Sequence, residues 1–123
     1  MSIFDPHDLD QLALDIANWP FMVSFAEKYR RLLPDRVQRI VSATDAGDLD
    51  QAMDATLSLR VASSFVGTHE LAEMARYVEG RLRQGDVVGA LARVRLLADA
   101  AERAELALAA YLVEYAGASL ADA

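Results

Sequence analysis

Three short turns, each a glycine followed at once by a residue that caps helices, divide this chain: Gly47-Asp48, Gly67-Thr68 and Gly85-Asp86. Glycine there ends a helix in the left-handed conformation, and the Asp or Thr after it starts the next. Links this short fold successive helices back on one another. Between the turns apolar residues recur at helical spacing, and no segment alternates with a strand period. The expectation is an all-α chain, an antiparallel up-down four-helix bundle with a short extra N-terminal helix, forming one domain over residues 1–123.

Asp5-Pro6 predicts an N-cap and a first-turn proline, and Leu9, Leu12, Ala13 and Ile16 give a first helix ending near Asn18. Trp19-Pro20 breaks the pattern. Phe21, Phe25, Tyr29, Leu32, Leu33, Val37, Ile40 and Val41 mark the apolar side of a long second helix, where Pro34 predicts a kink or a short break near Leu33. Asp48 with Gln51 resembles a capping box opening the third helix, which Gly67 closes. Thr68 is expected to cap the fourth, with Leu71, Met74, Ala75, Val78 and Leu82 apolar. Asp86 is expected to cap the last, which turns Val87, Leu91, Val94, Ala98, Ala101, Leu108, Leu112 and Tyr115 toward the core and runs to about Gly117. Residues 118–123 are expected to fray.

Composition narrows the functional classes. Without cysteine there are no disulfides, thiolate chemistry or cysteine metal sites, which suits a reducing cytoplasm. A net charge of -7, with arginines interleaved among acids, repels phosphate backbones and anionic lipid, so neither nucleic acid nor membrane is the expected partner. No signal-peptide pattern and no long uncharged apolar run is present.

The third helix carries the functional signal. At about 100° per residue, Asp50, Asp54, Val61, Ser64 and Thr68 lie within roughly 60° of Leu57 and form one stripe. The opposite side holds Ala52, Ala55, Thr56, Leu59, Ala62, Ser63 and Val66, small residues suited to close packing. The stripe should therefore face solvent, with Leu57 and Val61 as exposed aliphatics one turn apart.

The run LSLRVASSFVG, followed by THELAEMARYVE, resembles the signature of histidine phosphotransfer (HPt) domains. Leu59, Ser63, Val66, Gly67, Leu71, Ala75, Val78 and Glu79 match it, and Arg60 stands where the family usually has Lys. Leu57 takes the place of the phosphorylated histidine, Val61 that of a Gly and Ala62 that of a Ser. The resemblance extends to the segment FAEKYRRLLPDRVQRI and to the AGDLD and RQGD turns. It implies an HPt-like phosphorelay module without its phosphoacceptor, acting as an adaptor or modulator on a response-regulator receiver domain or a histidine kinase. The implied partner-binding residues are Leu57, Arg60, Val61, Ser64 and Phe65. Arg76 and Tyr77 would have to join them, because burying Leu57 and Val61 contributes about 3–6 kcal/mol against roughly 4–15 kcal/mol for association.

Phosphoryl relay needs an imidazole nucleophile, which Leu57 cannot supply. Arg60 reads either as a solvated arginine or as a cation for a partner's phosphorylated aspartate or acidic loop. His7 reads as a surface residue. His69 reads as a first-turn surface residue, with displaced phosphoacceptor as the alternative. No H-x-x-x-H or E-x-x-H spacing, catalytic carboxylate pair or Gly-rich phosphate loop is present. The expectation is a binding module with no enzymatic activity, cofactor or metal. The alternative reading of the same ridge is a structural homodimer with an isologous contact.

Overall fold

The computed structural model describes residues 2–122, with side chains through residue 114. The described chain is all-helical: α1 (Pro6–Ile16), α2 (Trp19–Asp45), α3 (Leu49–Val66), α4 (His69–Arg83) and α5 (Val87–Asp122). No described helix is long and apolar enough to cross a membrane. Four of them pack in a closed cycle, α2 on α3, α3 on α4, α4 on α5 and α5 back on α2, while α1 lies against α2 and α3.

The turns are built as the glycines require. Gly47, Gly67 and Gly85 all have positive φ, and Asp48 and Asp86 accept from the backbone N–H groups of Gln51 and Gly89 at 3.1 and 2.9 Å. Asp5 caps α1 through the His7 N–H at 3.0 Å. Two caps depart from expectation. The Gln51 side chain accepts from Arg39 at 3.2 Å, and the N–H of Asp48 goes to the Ala43 carbonyl, so the reciprocal half of the capping box is not made. Thr68 stands at the N-cap of α4 without a side-chain capping bond; it is fully buried and belongs to the core, not to the exposed stripe. The reason is Gly67, whose left-handed turn (φ 99°) swings the next residue out of the α3 register.

In α2 the sequence misjudges the start and the proline. Trp19-Pro20 opens the helix, with Asn18 as N-cap accepting from the Phe21 N–H at 3.0 Å. The helix then runs unbroken through Pro34, so the expected break is absent. Pro34 is exposed while Leu33 and Val37 beside it are buried. The carbonyl that the proline leaves without a partner therefore lies toward water, and packing on the other side holds the helix together. Met22 and Ala26 fill the core where Phe21 and Phe25 were expected; Phe21 is 53% exposed.

Val94, Ala101, Leu108 and Leu112 of α5 are buried as expected, but the rest of its core stripe is shifted. Ala90, Val94, Leu97, Ala101, Ala104, Leu108 and Tyr111 are buried, whereas Ala98 is exposed and Val87 and Leu91 are half-buried. Alanines make up much of this helix, so its apolar side cannot be phased from composition alone. The backbone continues as helix to Asp122, past Gly117. The inward placement of Tyr115 and the fraying of 118–123 lie outside the residues whose side chains are described.

The segment before α1 is tied down at both ends of the packing. Asp5 N–H donates to the Gly67 carbonyl at 2.9 Å, and Glu70 N–H donates to the Ser2 carbonyl at 3.0 Å. Tyr111 of α5 donates to Asp10 at 2.6 Å and meets the Phe4 ring edge-on at 5.4 Å.

Candidate functional site

The outer side of α3 presents Leu57, Val61 and Phe65, which are 40%, 54% and 53% exposed. Ser64 is exposed among them. Phe25 of α2 stands edge-on to Phe65, ring centroids 5.3 Å apart. Phe25, Leu57, Val61 and Phe65, together with Arg36, Asp54, Ser58 and Ala62, line a shallow groove of about 560 Å³ between α2 and α3. A contiguous apolar surface of this kind marks interaction sites more often than a lone exposed leucine does.

The inner side of α3 explains why the outer side is free to be apolar. Its small residues let α2 and α4 approach, and its polar atoms are all used. Thr56 donates to the Ala52 carbonyl at 2.7 Å. The Tyr29 hydroxyl lies 2.8 Å from both the Ser63 and Thr68 hydroxyls, and Thr68 reaches the Ser63 carbonyl at 3.2 Å. Burial pushes the Tyr29 pKa up, and the hydroxyls of Ser63 and Thr68 only partly offset it. Among the described residues no buried side-chain polar atom lacks a partner.

Arg60 is turned away from the ridge toward α4. Its guanidinium is hydrogen-bonded to Glu79, a carboxylate only 4% exposed. Breaking this pair would leave a buried carboxylate without a partner, so Arg60 is committed to it. The two cations that flank the ridge are on α2 instead: Arg39 pairs with Asp54 at 3.1 Å, and Arg36 donates only a long bond, 3.5 Å, to the Ser58 carbonyl. Sequence periodicity singled out neither, because which arginine of α2 leans toward α3 depends on how the two helices cross.

Tyr77 of α4 is engaged as well. Arg81 donates to its hydroxyl at 2.7 Å and Arg93 stacks 4.4 Å from its ring centre; the bond from Arg81 holds the Tyr77 pKa below its ordinary value. Arg76 reaches Glu73 at 3.9 Å.

His69 sits at the first position of α4 with its Nε2 2.9 Å from Asp8. Asp5, Asp8 and His69 bring one ligand atom each within 4.8 Å of one another, a juxtaposition of α1 and α4 that the sequence spacing did not reveal. Each is accounted for by the fold, Asp5 as cap and Asp8 as partner of His69. Two helix N-termini also meet here, and their dipoles favour carboxylates over a cation. A second groove, about 610 Å³ along Pro34, Val37, Ala98 and Ala101, has the guanidinium of Arg30 on its rim, held by Glu27 and Glu105.

Comparison with protein-family models, with curated proteins and with solved structures finds no match to this chain. The functional reading therefore rests on the residues and on the geometry of this face.

Proposed function

We propose that this chain is an HPt-like module without a phosphoacceptor, which docks a response-regulator receiver domain or a histidine kinase through the outer side of α3 and transfers no phosphoryl group. The up-down four-helix arrangement and a cytoplasmic setting belong to the same proposal. The observation that carries it is Leu57. At the place where the resemblance puts the nucleophile, an aliphatic side chain stands exposed in the middle of a continuous apolar face, with Val61 where clearance for an imidazole would be.

The energetics ask for a polar complement. Phe25, Leu57, Val61 and Phe65 are already about half covered, so burying the remainder contributes about 3–6 kcal/mol. Association opposes this by roughly 4–15 kcal/mol. The ridge can anchor a complex only as part of a larger contact.

The test is calorimetric titration of the purified chain with receiver domains and kinase domains from the same cell. Binding is expected, and Leu57→Asp should weaken it at least about tenfold while helicity is retained. No binding by the parent chain, or binding indifferent to Leu57→Asp, overturns the proposal.

A further inference from the structure

The cation that the resemblance assigns to the docking face is not available there, since Arg60 is held by the buried Glu79. We propose that Arg36 takes over the role, and that the segment seated between α2 and α3 is an acidic and apolar stretch of polypeptide, with a carboxylate on Arg36 and large side chains against Phe25, Leu57, Val61 and Phe65. This rests on the docking reading of the face, not on the partner being a receiver or a kinase.

The charges of the groove decide its partner. Asp54 also lines it, but Asp54 is answered by Arg39 at 3.1 Å. Arg36 has no carboxylate within ion-pair distance among the described residues; its only polar contact there is the 3.5 Å bond to the Ser58 carbonyl. Most other arginines that touch neighbouring helices or turns are answered: Arg30 by Glu27 and Glu105, Arg60 by Glu79, Arg81 by Asp86 and Arg103 by Glu70. An unanswered guanidinium on an apolar floor, in a chain whose net charge is -7, is a local reversal of sign. Its planar fork of donors matches a carboxylate in two-point geometry. Covering the groove with an uncharged segment would leave that cation desolvated and unpaired, which selects against apolar partners lacking an acid.

The occupant also fits the floor. Phe25 and Phe65 meet edge-on, so an aliphatic or aromatic side chain can pack against the exposed part of the pair. Arg36 stands with Asp54 and Ser58 beside Leu57. A carboxylate and a bulky apolar group close together on one strand or helical turn would reach both.

The experiment is a display selection of a random peptide library on the whole chain, with Leu57→Asp used to remove peptides that bind elsewhere. The expected result is enrichment of sequences pairing Asp or Glu with Leu, Ile, Phe or Trp. Selection on Arg36→Gln should lose the acidic preference and keep the apolar one, and Arg36→Glu should replace it with Lys and Arg. Single peptides should bind Arg36→Glu at least about tenfold more weakly, with circular dichroism unchanged. Persistence of the acidic preference in Arg36→Glu overturns the inference, as does the absence of any Leu57-dependent peptide. Receiver binding that ignores Arg36 overturns it and leaves the docking reading standing. Acidic peptides that depend on Arg36, without binding to any receiver or kinase, uphold it and sink the phosphorelay reading.

Discussion

The two sides of α3 each depart from the usual arrangement of a surface helix. Facing inward, Thr56 and Ser63 are fully buried; facing outward, Leu57, Val61 and Phe65 are exposed. A helix is ordinarily apolar inside and polar outside because burying apolar area is the main favourable term. The buried hydroxyls are tolerable beside Ala52, Ala55, Leu59 and Val66 because each has a partner, Tyr29 serving Ser63 and Thr68 together. No comparable compensation exists on the outer side, where apolar area meets water. What differs is therefore the reason each residue is there: inside, close approach of helices; outside, on the proposed docking reading, contact with a partner.

Mutations can break this contrast, beginning with the largest expected effect. Leu59, fully buried on the inner side, should destabilise the chain by about 2–5 kcal/mol when changed to Ala. Urea unfolding checks this, and a loss no greater than that of Leu57→Ala would erase the distinction between the two sides. Gly67→Ala attacks the turn that ends α3. Its φ is 99° and an added Cβ would stand 2.6 Å from the Asp5 carbonyl oxygen. A loss of about 1–3 kcal/mol is expected, with faster amide exchange at Asp5 and Glu70.

Tyr29→Phe tests the buried hydroxyls. Removing the shared phenol should lower stability by about 1–2 kcal/mol. It should also alter the response to alkali. The folded-state pKa of Tyr29 lies above its ordinary 10.0, so the folded chain holds a proton that the unfolded chain releases. The associated stability is complete below pH 10.0 and is lost as pH rises through the folded-state value. Melts from pH 8 to 11 should show a steeper alkaline decline in the parent than in Tyr29→Phe, and parallel curves would mean that the hydroxyl is hydrated.

Smallest of all should be Leu57→Asp, expected to change stability by no more than about 0.5 kcal/mol. Its melt is the sharpest test of the outer side: a fall of several degrees would place Leu57 in the core and end the docking interpretation.

The sequence displayed the elements well and their mutual placement poorly. Local chemistry located several of the helix ends, because Asp5, Asp48, Gly67 and Asp86 act through their own backbone neighbours, but not the start of α2 or the end of α5. The phase of α3 was also legible, since Leu57, Val61, Ser64 and Phe65 are found exposed and Leu59, Ser63 and Val66 buried. The pairing of Arg60 with Glu79, the position of Arg36 beside the ridge and the burial of Thr68 were not. Each depends on which residues of a second helix come opposite, and periodicity within one helix carries no information about that.

The hydrogen bonds between the segment before α1 and the α3–α4 turn have a kinetic consequence. Gly67 and Thr68 form their turn from neighbouring residues, whereas the bond from Asp5 to Gly67 joins distant parts of the chain. Closing such a long loop is entropically slow and gains little until both sides are already ordered. In refolding, α1 should therefore dock after α3 and α4 have met. Under mild denaturant it should detach first, releasing the Asp5 and Glu70 amides to exchange while the Tyr29, Ser63 and Thr68 cluster still holds.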